Sequence, residues 1–475
     1  MERRELIKAL GIGTTGLLLV NNLQAYHLLM NDPLTKNAFG KDFLWGVAAA
    51  GAQTEGAIAE DGKSPTIWDV FSHKRGKIKT GETGDISCDF YHRYAEDIAL
   101  VKAMNMDVFR LSLSWSRILP DGMGKVNQKG IDFYNKVIDT CLKNGVQPWL
   151  TLYHWDLPQI LEDKGGWTNR DVVAWFSEYT EVCTKAFGDR VKNWMILNEP
   201  LAFTALGYLI GAHAPGKRGL KKFLPAAHHA TLCQAEGGRI VRKNVKDANI
   251  GTTFSCSSIE PFRNNAADEK TVAIWDALTN RLFIEPALGM GYPTATLPLI
   301  KHIDKYMKAG DAEMMKFDFD FIGVQNYTRE ITKHNCLIPL MKGKHIPPRK
   351  RGKPLTDIGW EVYPEGIYKV LKQFAAYPGV KKIYVTENGA AFPDTLENGR
   401  VHDAQRVQFF KDYLENVLKA KNEGVNVQGY LVWTLTDNFE WAEGYKTRFG
   451  LVYVDFQTQQ RTMKDSGLWF KEFLK

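Results

Sequence analysis

The chain has 475 residues, 44% hydrophobic and 24% charged, with 61 Lys and Arg against 54 Asp and Glu for a net charge of +7. That balance belongs to a soluble globular protein, and so small an excess spread over a large surface argues for neither nucleic acid nor a membrane as partner. The length accommodates one large α/β barrel with long loops, so two catalytic domains are not required.

At the N-terminus, Arg3-Arg4 is followed by Leu6-Ile7-Lys8 and a mildly apolar stretch from Ala9 to Val20. The pattern resembles a twin-arginine export signal, with Glu5 inside the motif and Leu23-Gln24-Ala25 as an imperfect cleavage site. Residues 1–38 are therefore read as a signal and N-terminal extension, and an exported, periplasmic protein is expected. A cytoplasmic protein with an amphipathic extension is the alternative. The apolar stretch is short and Gly-rich for a membrane helix, and no span is expected in the mature chain.

From residue 39 to 475, eight apolar runs read as strands, near 43–48, 108–113, 147–152, 194–197, 250–254, 321–324, 382–386 and 428–435. Most are continuously apolar, as expected of strands covered on both faces. Between them lie amphipathic segments; in residues 90–104, Tyr91, Tyr94, Ile98, Val101 and Met104 recur at helical spacing. Strand and helix alternating eight times predict a single (β/α)8 TIM barrel with long βα loops, its chemistry at the C-terminal strand ends. The stretch 333–353 holds seven Lys or Arg and no acidic residue, and reads as a solvated loop after the sixth strand, at the rim of that face. Six cysteines show neither a Cys-x-x-Cys pair nor zinc spacing, so buried free thiols are expected and no metal.

Two strings stand out at the expected strand ends: Leu197-Asn198-Glu199-Pro200 and Thr386-Glu387-Asn388-Gly389. Each places a glutamate directly after a buried run. Two carboxylates at two strand ends are what glycosidic bond cleavage by double displacement requires, one as acid and one as nucleophile. Of 13 Trp and 18 Tyr most must be core, and some excess is what a sugar site would use, because aromatic rings pack on the C–H faces of sugars.

With Phe43-Leu44-Trp45-Gly46, Gln53-Thr54-Glu55-Gly56, Arg110-Leu111-Ser112, His154-Trp155-Asp156-Leu157-Pro158 and Asp437-Asn438-Phe439-Glu440-Trp441 in the same order, the chain resembles glycoside hydrolase family 1, the β-glucosidase type, from about Phe39 onward. The resemblance implies a retaining enzyme acting on β-linked sugars through a covalent glycosyl-enzyme, without cofactor. It implies Glu387 as nucleophile, Arg110 and Tyr327 as the groups holding it, and Glu199 as acid/base. Asn198 is expected on the hydroxyl beside the anomeric carbon, and Gln53, His154 and Glu440 on the outer hydroxyls. Trp433 is expected under the ring, Trp441 at its side and Trp360 at the leaving group. Gln325 stands where the family often has Asn, and Ile196 where it usually has Thr. A charged Glu440 would repel a 6-phosphate, which favours an unphosphorylated sugar. Glucosyl, galactosyl and fucosyl residues all remain compatible. A transglycosylase with the same residues is the rival enzyme. A non-catalytic glycan-binding barrel or a thioglucosidase would be expected to lack one of the two glutamates.

Overall fold

Eight parallel strands close into a barrel: β1 Leu44–Ala49, β2 Val108–Ser112, β3 Gln147–Tyr153, β4 Asn193–Asn198, β5 Asn249–Ser255, β6 Phe321–Gln325, β7 Ile383–Asn388 and β8 Val427–Trp433. Each pairs with its neighbours in sequence, and β8 closes on β1 with Leu44 opposite Gly429 and Ala48 opposite Trp433. All eight expected runs are strands of this barrel. The computed structural model describes residues 34–475, so the twin-arginine reading lies outside the described residues. Lys36–Phe39 form a short 3-10 turn, and Asp42–Lys475 make up one unit.

The connections carry helices including Phe90–Ala103, Gln128–Lys143, Val172–Phe187, Leu220–Asn244, Glu365–Ala375 and Ala404–Asn422. Gln128–Lys143 shows why they dock: Ile131, Tyr134, Val137, Ile138 and Cys141 fall on one face at helical spacing and are buried. Inside the barrel, Val108, Trp149, Met195, Phe321, Tyr384 and Leu431 form a closed apolar layer, one residue from each of six strands. Large side chains buried this fully contribute about 1.5–3 kcal/mol each. The layer is a solid floor, and the polar residues of the next layers up face the barrel mouth.

Strict alternation does not carry both key strands to that mouth. Tyr384 points inward, so alternation would turn Glu387 outward, and Met195 would likewise turn Asn198 outward. A register shift interrupts β7 between Val385 and Glu387, and another interrupts β4 between Met195 and Asn198. An extra residue of this kind re-aims the side chains beyond it. Both irregularities fall where the two glutamate strings begin.

Two loops above the barrel build a sheet of their own. Ser258–Pro261 pairs in parallel with Arg329–His334, which pairs antiparallel with Gly343–His345. This corrects the reading of 333–353 as a solvated loop. Its first part is strand, Thr332 pairs with His345, and the nearly buried Arg351 side chain bonds to Glu361 at 2.8 Å. Charge pattern alone could not reveal a pairing partner some seventy residues earlier. Five cysteines are buried as expected, but Cys336 is exposed, because it lies on the connection between the last two strands of that sheet. Among the described residues, no helix is long and apolar enough to cross a membrane.

Candidate active site

Glu387 is almost wholly buried at the end of β7. Its string ends in Gly389 for a steric reason: a Cβ there would sit 1.9 Å from the Trp433 carbonyl oxygen. Arg110 Nη1 donates to Glu387 Oε1, Gln325 Nε2 donates to the same oxygen at 2.9 Å, and the Tyr327 hydroxyl donates to Oε2 at 2.7 Å. Arg110 is itself fixed by Thr151 Oγ1 at 3.2 Å and by Asn198 Oδ1 at 2.5 Å. Burial raises the Glu387 carboxyl above its ordinary range, and the Arg110 charge and the Tyr327 hydrogen bond pull it back.

Glu199 follows β4 in the left-handed backbone region, with φ 44°. Its N–H donates to the Thr253 carbonyl at 3.0 Å, and Pro200 opens the short helix Pro200–Thr204. A proline tolerates the first helical position and disfavours helical geometry in the residue before it. The turn thus lifts the Glu199 side chain out of the strand line. Burial pushes its carboxyl up to about 8, the negative Glu387 adds to this, and a hydrogen bond from Ser255 opposes it. The guanidinium of Arg110, the Gln325 amide and the Tyr327 hydroxyl all donate to Glu387, against the single Ser255 hydroxyl at Glu199, so the proton shared by this pair resides on Glu199.

A cavity of about 300 Å³ holds both carboxylates, together with His154, Tyr327, Trp360, Trp433, Glu440 and Trp441. Arg110, Asn198, Gln325 and Gln53 support these from behind. Every residue expected at the site is therefore brought to one place. Asn198 Oδ1 accepts from Arg110, Gln325 at 2.8 Å and Thr253 at 2.9 Å, while its amide nitrogen lies 2.9 Å from His154 Nε2. The amide donates to His154, whose pKa is driven well down by burial and by Arg110. Neutral His154 thus carries its proton on Nδ1, and that buried atom has no protein partner. Gln53 Oε1 and Gln325 Oε1 are buried and unpartnered as well. Polar atoms left unpaired in this way are costly unless a ligand or water meets them.

Gln53 Nε2 donates to Glu440 Oε2 at 3.2 Å and to the Phe439 carbonyl at 3.1 Å. Burial pushes the Glu440 carboxyl up to about 8. The expected repulsion of a phosphate by a charged Glu440 is thereby weakened near neutral pH. No Lys or Arg is among the described residues lining the cavity. Trp441 stacks on Trp155 at 4.7 Å and touches Trp68 at 4.5 Å, and Trp360 leans on Tyr327 at 5.2 Å. Thr151, Thr253, Ser255, Trp155 and Phe449 were not singled out from the sequence. Thr253 and Ser255 had a signal: they are polar residues in alternation at the end of a buried strand. Among the described residues, no group of three His, Cys, Asp or Glu could hold a metal ion.

Residues 35–475 match the profile described as Glycosyl hydrolase family 1. Beta-glucosidase A of Thermotoga maritima is 43% identical over 439 residues, covering 92% of this chain and 98% of that protein. Beta-glucosidase A of Acetivibrio thermocellus is 42% identical over 447 residues, 93% of this chain and 99% of its own. The structure of the Thermotoga maritima beta-glucosidase in complex with glucoimidazole has a TM-score of 0.87 at 43% identity, covering 91% of this chain and 98% of that one. Barrel, paired glutamates and matching relatives agree: the chain belongs to glycosyl hydrolase family 1, as an enzyme of the β-glucosidase type.

Proposed function

We propose that the protein hydrolyses terminal β-D-glucosyl residues, accepting β-galactosyl and β-fucosyl residues to a lesser degree, by double displacement with retained configuration. The supporting observation is the unequal setting of the two glutamates. In the first step a Glu387 oxygen forms a bond to the anomeric carbon as the bond to the leaving oxygen breaks, and the Glu199 proton goes to that oxygen. Glu387 is then an ester without charge, so Glu199 loses one of the influences holding its pKa up. It takes a proton from water, the water oxygen bonds to the anomeric carbon, and Glu387 leaves as a carboxylate.

Asn198 keeps one amide hydrogen beyond its bond to His154, suited to the hydroxyl next to the reacting carbon. His154 Nδ1, Gln53 Oε1 and Glu440 suit the outer hydroxyls, over a Trp433 floor. Two substitutions test the roles. Glu387→Ala should abolish turnover and be partly rescued by azide, giving a glycosyl azide of inverted configuration; a retained product contradicts the assignment. Glu199→Ala should slow poor leaving groups far more than activated aryl glycosides. A panel of aryl β-glucoside, β-galactoside, β-fucoside and 6-phospho-β-glucoside tests the sugar. We also infer export through Arg3-Arg4, tested by changing both to lysine and following the chain in cell fractions.

A further inference from the structure

The charge of the whole chain is spread thin, but one hairpin concentrates it. Residues 333–353 carry seven Lys or Arg and no acidic residue, and they include the connection between strands Arg329–His334 and Gly343–His345. At its tip, Cys336-Leu337-Ile338-Pro339-Leu340-Met341 runs without a charge or a hydroxyl. Leu337 is 86% exposed, the most of any large apolar residue described, and Leu340 is 38% exposed. Lys333 precedes this tip and Lys342 and Lys344 follow it, so an apolar end stands on a basic collar. Beside the collar Phe262 is half-exposed, with Lys333 Nζ 5.1 Å from the centre of its ring.

The hairpin is ordered from base to tip. Thr332 pairs with His345, and the Phe262 N–H donates to the Thr332 carbonyl at 2.8 Å. The Thr271 hydroxyl donates to the Lys342 carbonyl at 3.1 Å, and Gly343 lies so close to helix Ala266–Asp276 that a Cβ would meet Thr271 Cγ2 at 2.1 Å. Beyond that the chain turns on itself: the Lys342 N–H donates to the Ile338 carbonyl at 2.7 Å, and the Leu337 N–H to Asn335 Oδ1 at 3.0 Å. The turn therefore holds Leu337 out in water. The charges are also unspent. Asp268, which accepts from the His334 N–H at 2.9 Å, is paired with Arg263 at 2.8 Å, and Arg351 is taken by Glu361. Among the described residues, no ion pair holds Lys333, Lys342, Lys344, Arg349, Lys350 or Lys353.

An apolar tip above unpaired cations fits a partner that is negative at its surface and apolar beneath it. A nucleic acid would meet the lysines and leave Leu337 and Leu340 in water. A second copy of the chain would set the same positive collar against this one. An anionic bilayer answers both features, with apolar side chains at the boundary of headgroups and acyl chains and lysines at the phosphates. We propose that this hairpin docks the protein on a bilayer containing anionic phospholipid, Leu337 and Leu340 entering it and Lys333, Lys342 and Lys344 resting on its headgroups. The strand that carries Lys333 also carries Glu330, which lines the catalytic cavity, so docking brings the rim of that cavity to the bilayer.

The test sediments the full chain with vesicles of phosphatidylcholine alone and of phosphatidylcholine mixed with phosphatidylglycerol. Binding is expected to the mixed vesicles, and high salt should release it. A basic residue beside an anionic surface contributes about fivefold in affinity, so Lys342→Gln with Lys344→Gln should weaken binding about 25-fold. Leu337→Ser with Leu340→Ser should weaken it about tenfold or more. Both pairs lie on the surface, so the melting temperature and turnover of an aryl β-glucoside should match the unmodified chain. Both also leave the apolar stretch Ala9 to Val20 intact, so binding through that stretch would survive in them. Absence of binding to the mixed vesicles, or full binding by either variant, would overturn the proposal. So would tighter capture of a duplex DNA oligonucleotide, or a dimer that the leucine substitutions abolish. None of these outcomes touches the β-glycosidase reading.

Discussion

Replacing Glu387 by Gln removes one negative charge from the cavity and preserves the shape. Glu199 sits at about 8 first because it is buried and second because Glu387 is negative. The substitution leaves the burial and takes away the charge. Two carboxylates about 5 Å apart, the separation a retaining pair needs, repel by about 3 kcal/mol at an effective dielectric constant of about 20. At 1.36 kcal/mol per pK unit that is about two units. The sign is fixed: without a negative neighbour, ionising Glu199 is easier and its pKa falls. Unmasking Arg110, whose charge already favours ionised Glu199, pushes it in the same direction. The shift can be read by carbon NMR of side-chain-labelled glutamate across a pH titration, with Glu199→Gln assigning the resonance. A Glu199 pKa that stays put or rises in Glu387→Gln would refute the electrostatic link between the two residues. It would also remove the account of how one residue acts as acid in the first step and as base in the second.

In the unmodified enzyme, kcat/KM should fall as pH rises through about 8, because Glu199 must hold its proton, and should fall again in acid as Glu387 becomes protonated. Arg110→Met withdraws the cation that holds the Glu387 carboxyl down, so the acid limb should move to higher pH; an unmoved limb in the pH profile would count against that role. Tyr327→Phe deletes the 2.7 Å hydrogen bond to Glu387 and should lower kcat/KM by about 10- to 100-fold, with the melting temperature little changed. Lys464 is fully buried between Asp394 at 2.5 Å and Asp437 at 2.6 Å, and Asp437 heads the segment that carries Glu440. Lys464→Met removes the cation the two carboxylates share, leaving Asp394 to Arg406 and Asp437 to Arg448, and should cost about 3–5 kcal/mol in urea unfolding, with a raised KM; a loss below about 1 kcal/mol would show that the two arginines suffice.

Much of the site was legible because its residues lie in short strings at strand ends, where residue type and local order carry the information. Arg110, His154, Asn198, Glu199 and Glu387 are of this kind. Gln325 was legible as a position, but its three bonds, to Glu387, Asn198 and Thr253, depend on strands β4, β5, β6 and β7 converging. The basic stretch 333–353 was misread because its order comes from partners remote in sequence, Ser258–Pro261 among them.

By itself, the sequence determined the eight strands, through apolar runs separated by amphipathic helices, and pointed to the two glutamates proposed to react. It could not determine which way they point. Alternation counted along β7 sends Glu387 away from the barrel, and only the register shift between Val385 and Glu387 turns it to Arg110. Such a shift reflects how many residues the neighbouring strands oppose, a property of the closed sheet as a whole. The strand's own residues do not encode it, because a side chain's facing in a sheet is set by pairing.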